Sequence, residues 1–219
     1  MATRIVLLNG VGSARKSSIA KALQTITAEP FLHVQMDAFL EMLPEALLDH
    51  AQGFSFETTW QDGKPSVAIT AGPVGRRAMS GMRHAIAAMA GQGNNLIVDD
   101  VMLDGQMAEY VSLLADFEVY RVGVFAPLDV LEARESARAD RMAGLARWQF
   151  ERVPKGVGYD LEIDSSTLSA PECAERIRAK FQLWDDGSVA PQAVFTATVS
   201  LSQVPILLPR RSGEIGFGR

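Results

Sequence analysis

Cysteine is nearly absent: Cys173 is the single one in 219 residues. An intrachain disulfide and a four-cysteine zinc site are thereby excluded, and a reducing cytoplasm is the expected compartment. No apolar run is long enough to cross a bilayer. The first residues lack the long apolar segment and cleavage site of a signal peptide. No membrane partner is expected. Positive charge is not in excess either. The 21 Lys and Arg against 26 Asp and Glu leave a net charge of −5, which argues against a broad basic footprint for nucleic acid. Internal repeats and low-complexity tracts are also lacking. What is present is an ordinary globular balance, 47% hydrophobic and 21% charged, in a chain long enough for one α/β domain.

Strands and helices alternate from the start to about Leu183. Arg4 to Asn9, Phe31 to Met36, Asn95 to Val98, Phe117 to Phe125 and Tyr159 to Ile163 read as short buried strands. Helices are expected over Lys16 to Thr27, Ala38 to Leu48 (interrupted near Pro44), Arg76 to Ala90, Gly105 to Ala115 and Leu128 to Asp140. Ser169 and Glu172 form a capping box that opens a last helix to about Phe181. Residues Ala51 to Lys64 read as turn-rich. Five strands separated by helices imply a parallel sheet with helices on both faces, and ligands then bind at the carboxyl ends of the strands. The domain is placed at residues 1–183. The extension at 184–219 is proline- and glycine-bearing, with an alternating stretch over Val194 to Leu201. It reads as a packed extension, an oligomer contact or a partly disordered tail.

Chemistry concentrates at those strand ends. Gly10-Val11-Gly12-Ser13-Ala14-Arg15-Lys16-Ser17 follows the first strand and opens the first helix. The phosphate-loop pattern is Gly, four residues, Gly, Lys, then Ser or Thr. The match is complete except that Arg15 stands in place of the second glycine. Backbone N–H groups at a helix start attract phosphate. Lys16 suits the β- and γ-phosphates of ATP, and the Ser17 hydroxyl suits Mg²⁺. The Arg15 side chain either crowds the phosphates or points outward and adds a charge.

Asp99-Asp100 ends an apolar strand, and an acid there commonly serves Mg²⁺. Neighbouring strand residues face opposite ways, so one of the two shares the metal pocket. Asp99 is assigned to the metal and Asp100 to the substrate side. Asp37 ends the second strand. It suits a general base that takes the proton of an attacking hydroxyl, although Asp also caps helices well. Arg134, Arg138 and Arg141 are spaced along one helical face and read as a lid over ATP, spanning about 134–155. Arg147 and Arg152 follow. Glu132 and Glu135 also permit a plain salt-bridged helix.

Together these stretches resemble the chloramphenicol phosphotransferase family of P-loop kinases. The resemblance is carried by Leu8 through Ser18, Met36-Asp37-Ala38-Phe39 with Met42-Leu43-Pro44, and Ile97 through Val101. Val122 through Asp140-Arg141, Gly156 through Asp160, and Ile163 through Ser166 extend it. It covers roughly residues 4 to 182. It implies the three-layer α/β P-loop kinase fold with a five-stranded parallel sheet. It also implies an ATP- and Mg²⁺-dependent O-phosphotransferase with Asp37 as base and Arg138 and Arg141 in the lid. The nucleotide would lie against Gly10, Gly12, Ser13, Ala14, Arg15, Lys16, Ser17, Ser18 and Arg134, with adenine near Ser165, Ser166, Thr167 and Leu168. The acceptor is a hydroxylated small molecule, chloramphenicol or another metabolite, with antibiotic resistance as the matching role. Two other readings are a nucleotide-binding protein that lost catalysis through Arg15 and a kinase of a nucleotide-like acceptor. Retained Lys16, Ser17, Asp37 and Asp99 favour the active kinase. Phe39, Phe54, Phe56 and Trp60 favour a partly apolar acceptor, or else they fill the core.

Overall fold

The computed structural model describes residues 2–103, 105–138, 142–153 and 158–183. The extension at 184–219 therefore lies outside the described residues, as do Arg141 and the alternating stretch at Val194 to Leu201. Five strands form one parallel sheet: β1 (Arg4–Asn9), β2 (Phe31–Gln35), β5 (Asn95–Asp100), β6 (Glu118–Phe125) and β7 (Leu161–Asp164). Their order across the sheet is β2-β5-β1-β6-β7. The centre, β1, is apolar on both faces because helices cover both. Ile5, Val6, Leu7 and Leu8 are all 0% exposed, and burying each such side chain contributes about 1.5–3 kcal/mol.

Period-two alternation sorts the core into two layers. Val6, Leu8, Ile97 and Val124 pack with Ile19 and Leu23 of helix α1 (Lys16–Ile26) and Cys173 and Ile177 of α7 (Ala170–Lys180). Ile5, Leu7, Leu96 and Val98 pack with Met82 and Ile86 of α3 (Pro73–Gly91) and Tyr110 of α4 (Gln106–Leu113). The reciprocal capping box at Ser169 and Glu172 opens α7, as its sequence implies. Among the described residues no helix is long and apolar enough to cross a membrane.

Four expectations need correction. The segment from Ala51 is not merely turn-rich: β3 (Phe54–Gln61) and β4 (Lys64–Ala71) pair antiparallel as a separate hairpin. Asp62 and Gly63 turn it with φ of 51° and 74°, the positive values a two-residue hairpin turn requires. The helix expected from Ala38 is only α2, Met36–Leu40, followed by a 3₁₀ turn at Glu45–Leu47 after Pro44. The helix expected to begin at Arg76 starts earlier, with Pro73 in its first turn, where a missing N–H costs nothing. The helix expected to reach Asp140 is α5, Leu128–Ser136, and a short α6 follows at Leu145–Phe150. Arg138 thus lies beyond the helix and does not share a continuous helical face with Arg134.

Candidate active site

The phosphate loop bridges β1 and α1. Gly10 is required there by close approach, since a Cβ would sit 2.3 Å from the Val124 carbonyl oxygen. Lys16 is buried and folds back over the loop. Its Nζ donates to the carbonyls of Gly10 at 2.9 Å and Val11 at 3.1 Å and lies 3.9 Å from Asp99 Oδ1. Ser17 Oγ donates to Asp99 Oδ2 at 2.6 Å. Ala14 is buried, its N–H donating to Val11 O at 3.2 Å, whereas Ser18 is exposed at the start of α1.

Asp99 lies on the sheet face that carries α1, and Asp100 on the opposite one. Burial alone would raise the Asp99 carboxyl. The His33 ring, the Lys16 ammonium and the Ser17 hydroxyl outweigh it and hold that carboxyl below its ordinary value. His33 Nε2 is 3.6 Å from Asp99 Oδ2. Asp100 accepts from the Tyr110 hydroxyl at 2.9 Å and the Val101 N–H at 2.7 Å. Its burial pushes the carboxyl up, only partly offset by these donors.

Two loop residues adopt left-handed backbone, Ser13 at φ 66° and Arg15 at φ 69°. The glycine of the motif is therefore replaced at a position that still bends as glycine would. The Arg15 side chain is exposed yet borders the same cavity as Lys16 and Ser17, and its charge also reaches Arg134. Burial and then the Arg15 charge pull the Arg134 pKa below its ordinary value. Left-handed backbone costs a non-glycine residue about 1–2 kcal/mol, and glycine gives back part of that through its unfolded-state freedom. Arg15→Gly is expected to stabilise the fold by about 1 kcal/mol, a rise of about 2–4 °C in melting temperature. A variant that melts lower would show that the arginine side chain holds the loop.

One cavity of about 250 Å³ joins the parts. Lys16, Ser17, Asp37, Asp99 and Arg138 line its polar side; Met36, Leu40, Phe56, Ile69 and Leu145 line its apolar side. Asp37 stands in the first turn of α2. The N-cap there is Gln35, with no side-chain cap bond, so Asp37 does not fill the capping role that its position suggested. Gly12 and Ser13 also border the cavity.

The other candidates are placed differently. Arg134 donates to Ser165 Oγ at 3.2 Å and Ser165 O at 2.7 Å. Ser165 is fully buried and donates to Phe125 O. Ser166 and Thr167 turn back onto Asp164. None of these four borders the cavity. Arg147 pairs with Glu132. Arg152 donates to Trp148 O at 2.6 Å and stacks on its ring.

Sequence reasoning missed three site residues. His33 meets Asp99 only because β2 pairs with β5. Glu135 accepts the N–H groups of Gly144 and Ala146 at 2.7 and 2.8 Å, anchoring the start of α6 rather than decorating a solvated helix. Gln149 reaches the loop from α6, where its Oε1 accepts the Gly12 N–H at 2.8 Å. No local pattern signals any of the three.

A family model described as chloramphenicol phosphotransferase-like protein matches residues 3–182. The chain belongs to the chloramphenicol phosphotransferase-like family. It is a small-molecule kinase, a phosphotransferase with an alcohol group as acceptor. A Mycobacterium tuberculosis protein named as a candidate O-phosphotransferase is 30% identical over 185 residues, 82% of each chain. The fold is shared with a sugar kinase from Janibacter sp. HTCC2649, with a TM-score of 0.57 at 19% identity over 83% of this chain and 95% of that one. It is shared too with the Mycobacterium tuberculosis APS kinase solved with AMPPNP and APS, with a TM-score of 0.56 at 15% identity over 83% and 98%.

Proposed function

We propose that this family member transfers the γ-phosphoryl group of ATP, with Mg²⁺, to a hydroxyl of a small and partly apolar acceptor. The observation that carries the reading is that the Lys16–Ser17–Asp99 cluster and Asp37 share one cavity with an apolar wall from α2, α6 and the hairpin. Ser17 and Asp99 fit Mg²⁺ chemically: they are hard oxygen donors 2.6 Å apart, and Mg²⁺ takes few protein ligands beside water and phosphate. When bound, the ion would neutralise charge on the transferring phosphates.

The chain's own residues supply the rest. The Lys16 ammonium exchanges loop carbonyls for phosphate oxygens. Asp37 takes the proton as the acceptor oxygen bonds to the γ-phosphorus and the bond to the β-phosphate oxygen breaks, leaving ADP. Arg138, on the cavity wall, offsets charge that develops on the transferred group. The apolar wall favours an uncharged acceptor over a nucleotide-like one, and chloramphenicol is the first compound to assay. The test is calorimetry with Mg·ATP, followed by transfer of labelled γ-phosphate to hydroxylated acceptors. Saturable binding with transfer is the expected result; no binding of Mg·ATP by the unmutated protein would overturn the reading.

A further inference from the structure

The apolar alternation of Ile5 and Leu7 along one face of β1 ends on Asn9, which is polar and 0% exposed. A buried carboxamide needs partners, and Asn9 finds them on two other segments. Its Oδ1 accepts the Met102 N–H at 2.8 Å, and its Nδ2 donates to the Tyr159 hydroxyl at 3.0 Å. The Met102 N–H fixes this orientation, because only the amide oxygen accepts. The Tyr159 proton is then left to turn toward Val153 O, 3.5 Å away. The Tyr159 ring is seated edge-on to Phe125, with centroids 5.4 Å apart, over Gly123, where a Cβ would stand 3.0 Å from Tyr159 Cδ2.

Both ends of this chain of bonds lead to the cavity lining. Met102 follows directly on Asp99, Asp100 and Val101, which border the cavity. Val153 lies just past α6, its N–H on Gln149 O at 3.0 Å, and α6 brings Leu145 and Gln149 to the cavity. Strand β1 stands between β5 and β6, and Asn9 pairs in register with Asp100 on one and Gly123 on the other, so a side chain at that end is placed to reach both segments. We propose that Asn9 and Tyr159 are positioning residues of the transfer reaction: their hydrogen bonds brace the segment that leaves Asp99 and Asp100 against the segment that presents Leu145 and Gln149. A displacement of about 1 Å between reacting groups can cost about 10²-fold in rate. The positioning role rests on the proposed function; the brace does not.

Tyr159→Phe removes one hydroxyl and keeps the ring on Phe125. Asn9 then loses its second anchor. Amide hydrogen exchange, followed by NMR, is expected to speed up at Met102 and at Val153 together by about three- to tenfold, the scale of one neutral hydrogen bond, with Val6 to Leu8 unchanged. At a temperature where the variant is fully folded, kcat is expected to fall by about three- to tenfold, with the Kd of Mg·ATP within about twofold. Asn9→Leu removes both bonds, and where it folds kcat is expected to fall about 10- to 100-fold. The double variant should be no slower than Asn9→Leu alone, since both changes break one link. Unchanged exchange at Met102 or at Val153 in Tyr159→Phe overturns the brace. Faster exchange at both with unchanged kcat overturns the positioning role and leaves a stabilising contact. Absence of transfer by the unmutated protein overturns the proposed function and the positioning role with it, while the exchange rates still decide the brace.

Discussion

Asp37→Asn is expected to lower kcat by about 10²- to 10⁴-fold, the usual contribution of a general base, while Mg·ATP affinity stays nearly constant. Asparagine keeps the shape and one acceptor oxygen, but it does not accept a proton at neutral pH. Asp37 is inside the first turn of α2, whose N-cap is Gln35, and the backbone bond from Glu41 N–H to Asp37 O at 3.0 Å is untouched by the substitution. The variant should melt close to the unmutated protein. The measurement is steady-state transfer to whichever acceptor is accepted, with calorimetry of Mg·ATP as control. An unchanged kcat would remove Asp37 from proton transfer. Asp100 would be a poor heir, since two donors already engage its carboxylate.

Lys16→Met is expected to weaken Mg·ATP binding by about 10²- to 10³-fold, because truncating one member of a buried charged set costs about 2–5 kcal/mol. Two losses combine. The phosphates lose their ammonium, and Asp99 keeps its negative charge with one of its balancing groups gone. Methionine retains the apolar stem in a slot where the lysine is 7% exposed, so packing is largely spared. The carbonyls of Gly10 and Val11 lose a donor, and a modest fall in melting temperature is expected beside the binding defect. Calorimetry separates the two. An affinity within a few-fold of the unmutated protein would mean that Lys16 remains on the loop carbonyls and never reaches phosphate.

The parallel sheet was legible because strands buried on both faces leave continuous apolar runs, as Ile5 to Leu8 do. The phosphate loop was legible because its chemistry is local: turn, lysine and serine are adjacent in sequence. The hairpin was less so. Asp62-Gly63 between Phe56, Thr58 and Trp60 on one side and Val67 and Ile69 on the other is a hairpin signal, but the polar residues of β3 masked it. Contacts between distant segments had no local trace. Gln149 meets Gly12 across 137 positions, and His33 meets Asp99 through strand pairing alone. The extent of the arginine helix depended on where α5 stops, which the run Ala137-Arg138-Ala139-Asp140 after Ser136, made of alanines and charges that suit a helix, did not mark.

The apolar wall contributed by the hairpin and the segment that carries Gln149 are joined along one seam. Val67 N–H donates to Gly144 O at 3.0 Å. Gly144 itself, at φ 103°, lies so near Pro65 that a Cβ would stand 2.8 Å from its carbonyl oxygen. Lys64 reaches Glu132 at 2.6 Å beside the same seam. A compound that shifts β4 therefore acts on an element packed directly against α6. Linkage makes such an effect reciprocal: the factor by which an acceptor changes nucleotide affinity equals the factor by which nucleotide changes acceptor affinity. Acceptors ranked by how strongly they bind the protein alone and the nucleotide-bound protein need not fall in the same order, so an acceptor screen is best run both with and without nucleotide.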